Sequence, residues 1–193
     1  MPDYAERGEA QAPAIWTFVT ADILTFTLFF AVFMHERGKQ VALFNESAVK
    51  LDAGLGLLNT LILITSGWLV ALALSAARAG DRTLLRRRLL LALIVGSGFA
   101  VTKVVEYHQK ISHGITLLTN DFFMFYYALT GIHFLHFLVG VGVLLWLWVS
   151  AANRELDDHF LGTVESGGLY WHMVDLLWLV LFPLLYLLLG ASA

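Results

Sequence analysis

The segment Tyr170-Trp171-His172-Met173-Val174-Asp175-Leu176-Leu177-Trp178-Leu179-Val180-Leu181-Phe182 places a histidine and an aspartate inside an apolar run of membrane length. An aspartate near a bilayer centre costs about 2.5–3.5 kcal/mol on insertion scales, so its carboxyl must face protein or water. On a helix His172 and Asp175 share a face, where they can pair with each other or reach one partner together. The segment reads as a membrane helix packed against other helices.

Working outward, four more runs are apolar for roughly 20 residues, enough at 1.5 Å per residue to cross about 30 Å of hydrocarbon. The five spans are expected near 15–34, 56–77, 89–107, 122–150 and 169–189. Backbone groups in lipid must be satisfied internally, which makes segments of this length helices. The composition agrees: 59% of the 193 residues are hydrophobic, 14% are charged, and the mean hydropathy is +0.74. Soluble domains average about 45–50% apolar residues. The expected fold is an all-α integral membrane protein, a five-helix bundle forming one domain over 15–190. Residues 1–14 are acidic, carry Pro2 and Pro13 and lack a basic region ahead of an apolar core, so they read as a cytoplasmic amino-terminal segment rather than a cleaved signal. Cysteine is absent, which excludes disulfides, thiolate metal sites and thiol catalysis.

Orientation follows from basic residues in short loops. Arg78, Arg82, Arg86, Arg87 and Arg88 cluster after the second span; with Arg7 and Arg154 they give seven basic residues on one side, against Arg37, Lys39, Lys50 and Lys110 on the other. This places the amino terminus in the cytoplasm and the carboxyl terminus outside. Arg86, Arg87 and Arg88 read first as a solvated topogenic face, with contact to anionic lipid headgroups as the alternative.

Each polar residue inside a span admits a structural and a functional reading. Asp22 is either a protonatable carboxyl facing a neighbouring subunit or a structural acid bonded to Thr or Trp on another helix. Lys103 and Glu106 can neutralise each other within one turn and, near the interface, could snorkel. His133 and His136 share a face beside Gly131, Gly140 and Gly142, which permit close approach of another helix. They cannot take opposite axial positions of one haem, and helix-to-helix hydrogen bonding is the favoured reading. Asn59 lies in the second span. No nucleophile, phosphate loop, nucleic-acid surface or catalytic centre is visible.

Leu58-Asn59-Thr60-Leu61-Ile62-Leu63-Ile64-Thr65-Ser66, Glu106-Tyr107, Thr130-Gly131-Ile132-His133-Phe134-Leu135-His136 with Gly140, and Tyr170-Trp171-His172-Met173-Val174-Asp175 with Trp178 and Tyr186 occur in this order along the spans. Together they resemble the successive signatures of cytochrome c oxidase subunit III, and the bundle resembles the last five helices of that family. Asn120-Asp121-Phe122-Phe123-Met124-Phe125-Tyr126, together with Trp171-His172-Met173-Val174-Asp175 and Leu181-Phe182-Pro183-Leu184-Leu185-Tyr186, looks most like its NorE branch, associated with nitric oxide reductase in denitrifying bacteria.

The resemblance implies a non-catalytic accessory subunit in a bacterial inner membrane, binding no cofactor itself. The haem and metal are expected in a larger haem-copper catalytic subunit, which with membrane phospholipids forms the set of partners; nucleic acid is not among them. It also implies a role in assembly, lipid retention and sustained turnover of a respiratory electron-transport enzyme. Seven-helix members carry two more amino-terminal helices that help form a lipid-holding cleft, and this chain begins at what resembles their third. Asp22 occupies what looks like the position of the family's carbodiimide-reactive glutamate. On this reading Asp22, Glu106, His133, His136, His172 and Asp175 fix the packing while the first helix presents an apolar face to the catalytic subunit. The alternatives are subunit III of a terminal cytochrome c or quinol oxidase, an independent small transporter or proton channel, and a haem-bearing electron carrier.

Overall fold

The computed structural model describes residues 5–188, with side chains from residue 15 onward. Six α-helices follow one another: α1 (Ala5–Lys39), α2 (Val41–Ala48), α3 (Ala53–Arg78), α4 (Arg82–Ser112), α5 (Asp121–Asn153) and α6 (Asp158–Phe182), the last continuing into a π-helical turn over Pro183–Leu187. Among the described residues five stretches are long and apolar enough to cross a membrane: Ile15–Lys39, Ala53–Arg78, Arg82–Ser112, Asp121–Asn153 and Asp158–Leu187.

The helices extend beyond the apolar runs because their starts are set by caps rather than by hydropathy. Asp52, Asp81, Asn120 and Asp157 each accept a hydrogen bond from the backbone N–H three residues on, at 3.0, 2.8, 3.0 and 2.7 Å. Such caps satisfy donors that the helix itself leaves unpaired. The last helix therefore begins at Asp158, well ahead of the expected 169; the expected end at 189 lies outside the described residues. At the other ends Gly80 (φ 72°) and Gly114 (φ 75°) adopt the left-handed conformation that stops α3 and α4. The next N–H in each case reaches back five residues, Asp81 to Ala76 and Ile115 to Lys110.

The arrangement is four helices plus one. The neighbours α3–α4, α4–α5, α5–α6 and α6–α3 close a bundle, and α1 lies against its outside, chiefly on α6. Within the spans the best window of α6 is 67% buried and that of α1 only 17%, so α6 is the spine and α1 an attached helix. Among the described side chains of α1, Val19, Phe26 and Phe33, seven residues apart, are buried, giving one narrow stripe. The short α2 closes one end of the α1–α5 seam. Phe44 and Phe33 stack edge to face with ring centroids 5.4 Å apart, and Phe44 meets Phe122 at 5.7 Å.

Pro183 does not end the last helix. The chain passes through it into the π turn, closed by Leu188 N–H on the Pro183 carbonyl at 3.0 Å, and Leu184, Leu185 and Tyr186 are all buried there. This sends the Tyr186 hydroxyl towards α4.

Candidate functional site

The polar residues of the spans fall into three groups separated by apolar packing. The deepest lies where α4, α5 and the π turn meet. Lys103 Nζ donates to Glu106 Oε2 at 2.8 Å and to the Tyr186 hydroxyl at 2.8 Å, and that hydroxyl donates to Glu106 Oε1 at 2.8 Å. The two charged side chains are 1% and 3% exposed, so they point into the bundle and do not snorkel. The ammonium also faces the rings of Trp178 at 4.8 Å and Tyr126 at 5.3 Å, whose negative faces favour a cation. The turn of Pro183 supplies the phenol that closes this triangle.

Around it the core is polar but uneven. Asn59 Oδ1 accepts from Thr102, and Trp178 donates its indole N–H to Thr60 at 3.1 Å. His133 is fully buried between Phe99 and Trp178 and makes no hydrogen bond through either ring nitrogen. The expected helix-to-helix hydrogen bond is therefore absent at His133, which packs as an aromatic ring.

His136 belongs to the second group. Three residues turn a helix by 300°, which leaves 60° between the two histidines. Because α5 stands at a corner of the bundle, His133 falls inside and His136 faces α1. Its Nδ1 lies 2.8 Å from the Ile132 carbonyl, which can only accept, so this nitrogen carries the hydrogen. Its Nε2 lies 3.2 Å from Asp22 Oδ2. Asp22 thus pairs with a histidine rather than with Thr or Trp. It ties α1 to α5.

The third group is His172 with Asp175. Asp175 is buried against α3, where a Cβ on Gly67 would stand 2.2 Å from its Oδ2; only a glycine lets the carboxyl approach the α3 backbone. Its Oδ1 is buried without a hydrogen-bond partner. His172 Nδ1 sits 3.8 Å from Oδ2, and its side chain is 46% exposed against 9% for Asp175. A cavity of about 370 Å³ runs from His172 to an exposed Arg78–Glu165 pair (2.9 Å), walled by Ile15, Val70 and Leu74.

The small residues of α5 divide in the same way. Gly140 faces the Trp171 ring, which a Cβ would meet at 2.9 Å, whereas nothing lies within 4 Å of such an atom at Gly131 or Gly142. In the arginine cluster Arg86 lies over the Trp148 ring at 5.3 Å, Arg88 donates to the Leu72 carbonyl at 2.5 Å, and Arg87 is exposed. Two of the three are therefore engaged with the protein.

Sequence reasoning passed over Gly67 and the Arg78–Glu165 pair. Gly67 sits in an apolar run without a motif, and Arg78 and Glu165 are far apart in sequence, so neither had a local signal. Among the described residues no three His, Asp or Glu side chains converge as metal ligands.

A bundle of five apolar spans whose polar groups pair mainly with one another defines a helical membrane protein. Residues 12–189 match the family model of cytochrome c oxidase subunit III, and the chain belongs to that family. It is similar to the cytochrome c oxidase subunit 3 of a Synechocystis species, at 34% identity over 89% of this chain and 72% of that one. The quinol oxidase subunit 3 of Bacillus spizizenii is 24% identical over 96% of this chain and 97% of its own length. The heme-copper oxidase subunit I+III of Aeropyrum pernix is 30% identical over 97% of this chain, which spans 24% of that longer protein.

Proposed function

We propose that this chain is a non-catalytic accessory subunit of a haem-copper respiratory complex, bound beside a larger catalytic subunit that holds the haem and metal. The observation that carries the reading is the match of nearly the whole chain to subunit III. The Aeropyrum relative, whose name joins subunits I and III in one polypeptide, supports a direct one-to-one contact between the two. The contribution of this chain is mechanical. Asp22, Asn59, Lys103, Glu106, His133, His136 and Asp175 fix the packing of the five spans, His172 faces out of the bundle, and the complex is held by faces that the bundle leaves uncovered. Asp22, whose Oδ2 lies 3.2 Å from His136 Nε2, is the candidate protonatable acid. Arg87 is the member of the arginine cluster available to phospholipid headgroups.

The resemblance of 120–126, 171–175 and 181–186 to the NorE branch favours the nitric oxide reductase large subunit as partner, in denitrifying electron transport. The names of the curated relatives favour the second reading, subunit III of a cytochrome c or quinol oxidase. The Arg78 end is assigned to the cytoplasm and the carboxyl terminus to the outside of a bacterial inner membrane.

A tagged purification from native membranes in mild detergent tests this. A co-purifying haem-copper subunit is expected, and its reaction with NO or oxygen decides between the two enzymes. Recovery of the chain alone, in membranes where both enzymes are expressed, contradicts the proposal. In the same assay Asp175→Leu should leave membrane insertion intact and lower the yield of complex; an unchanged yield removes Asp175 from the account.

A further inference from the structure

Resting on that reading, we infer that the catalytic subunit docks in the groove floored by α6 and walled by α1 and α3, through one of its transmembrane helices carrying a hydrogen-bonding side chain opposite His172.

Three observations meet at this groove. The first is the exposure of His172. Inside the spans, the side chains of Asp22, Lys103, Glu106, His136 and Asp175 are 18, 1, 3, 22 and 9% exposed, whereas that of His172 is 46% exposed. It stands within the apolar run that begins near residue 169, seven residues or about 10 Å of helix beyond Glu165. Hydrocarbon offers an imidazole N–H no acceptor, so ionisable groups at this depth face protein or water. The carboxyl of Asp175 meets only one edge of the ring, at 3.8 Å.

The second observation is spacing. Going along α6, Glu165 and Leu169 are half-buried and His172, Leu176, Leu179, Val180, Pro183 and Leu187 are exposed. They recur every three or four residues and so form one face of the helix, against which a second helix can pack. Apart from Glu165 at the end and His172 in the middle the stripe is apolar, as a lipid-embedded helix pair requires, and the one polar member fixes register in the way a single polar core residue does in a coiled coil.

The third is shape. The cavity of about 370 Å³ lies at the Arg78 end of the same stripe, between α1 and α3, and deepens the groove where partner side chains would enter. Arg78 and Glu165 pair across its mouth and leave it without net charge, so the surface suits an apolar helix rather than an anionic headgroup.

The test is photo-crosslinking in native membranes, with p-benzoylphenylalanine introduced singly at Leu176 on the stripe and at Val101 on the far face of α4. These side chains are 50% and 63% exposed, so neither probe disturbs the core. The expected result is a covalent adduct between Leu176→benzoylphenylalanine and the haem-copper large subunit, at least about tenfold stronger than from Val101. An adduct from Val101 but not from Leu176, or none from Leu176 while the large subunit still co-purifies, overturns the inference and leaves the accessory role standing. An adduct of Leu176 with a second copy of this chain, or with phospholipid alone, also overturns it. Failure of the large subunit to co-purify at all overturns the accessory role itself.

Discussion

Lys103–Glu106 on α4 and His172–Asp175 on α6 are the same pattern in sequence, a base followed three residues later by an acid inside an apolar helix. In the fold they have opposite surroundings. The first pair is closed by Tyr186 and three further aromatic rings and is almost fully covered. The second is half open, its acid tucked against Gly67 and its base facing out of the bundle. A charged residue in a span therefore serves either of two ends. Sealed, it locks the helices of one chain together; left open, it requires a neighbour.

The largest expected effect comes from breaking the sealed pair on one side. Glu106→Leu leaves the Lys103 ammonium buried without its counter-charge, at a cost of about 3–5 kcal/mol. The variant should aggregate or melt far below the parent in detergent, as followed by size exclusion after heating. Replacing both, Lys103→Met with Glu106→Leu, removes the uncompensated charge and should recover most of the loss. A single variant as stable as the parent would break the comparison at its sealed end.

Next come the devices that place the open acid and the outer helix. Gly67→Ala forces the Asp175 carboxyl off the α3 backbone, an overpacking cost of about 1–3 kcal/mol. It should shift the infrared carboxyl band that Asp175→Asn abolishes; a band that stays in place would mean the carboxyl does not rest on Gly67. Asp22→Leu removes the tie to His136 and should cost about 0.6–1.7 kcal/mol, the range of intramembrane hydrogen bonds. Because α1 lies outside the four-helix bundle, hydrogen exchange should rise along α1 and stay unchanged in α3 to α6. Exchange that rises evenly would show that α1 is not a separable element.

The smallest effect sharpens the contrast among glycines. Gly142→Ala meets nothing within 4 Å and should change stability by less than about 0.5 kcal/mol, whereas Gly140→Ala presses on Trp171 and should be clearly destabilising in the same melt. Equal effects would contradict the packing of α5 on α6.

Hydropathy makes the five spans legible because each must be apolar for its whole membrane length. It reads their limits less well, since Asp52, Asp81, Asn120 and Asp157 start the helices in polar sequence. The short α2 is invisible to any search for spans, and its Phe44 acts only through rings supplied by α1 and α5. Pairs within one turn, Lys103 with Glu106 and His172 with Asp175, could be read from spacing. What surrounds them could not, because the phenol of Tyr186 and the backbone at Gly67 arrive from other helices. The separation of His133 from His136 is of the same kind: 60° on a helix decides nothing until the neighbours are in place. The four-plus-one arrangement was also beyond sequence, since α1 and α6 have comparable apolar windows, with mean hydropathy 1.9 and 1.5, but very different burial.

The central claim, that the sealed pair holds the chain and the open one holds its neighbour, is tested most directly by His172→Leu measured in two ways on one preparation. The account predicts that the isolated chain melts within about 2 °C of the parent, a change below about 1 kcal/mol, while recovery of the haem-copper subunit from native membranes falls about three- to twentyfold. His172→Gln, which keeps a hydrogen-bond donor, should restore part of that recovery. Parallel loss of chain stability and of partner, or full recovery of the partner with leucine in place, would contradict it.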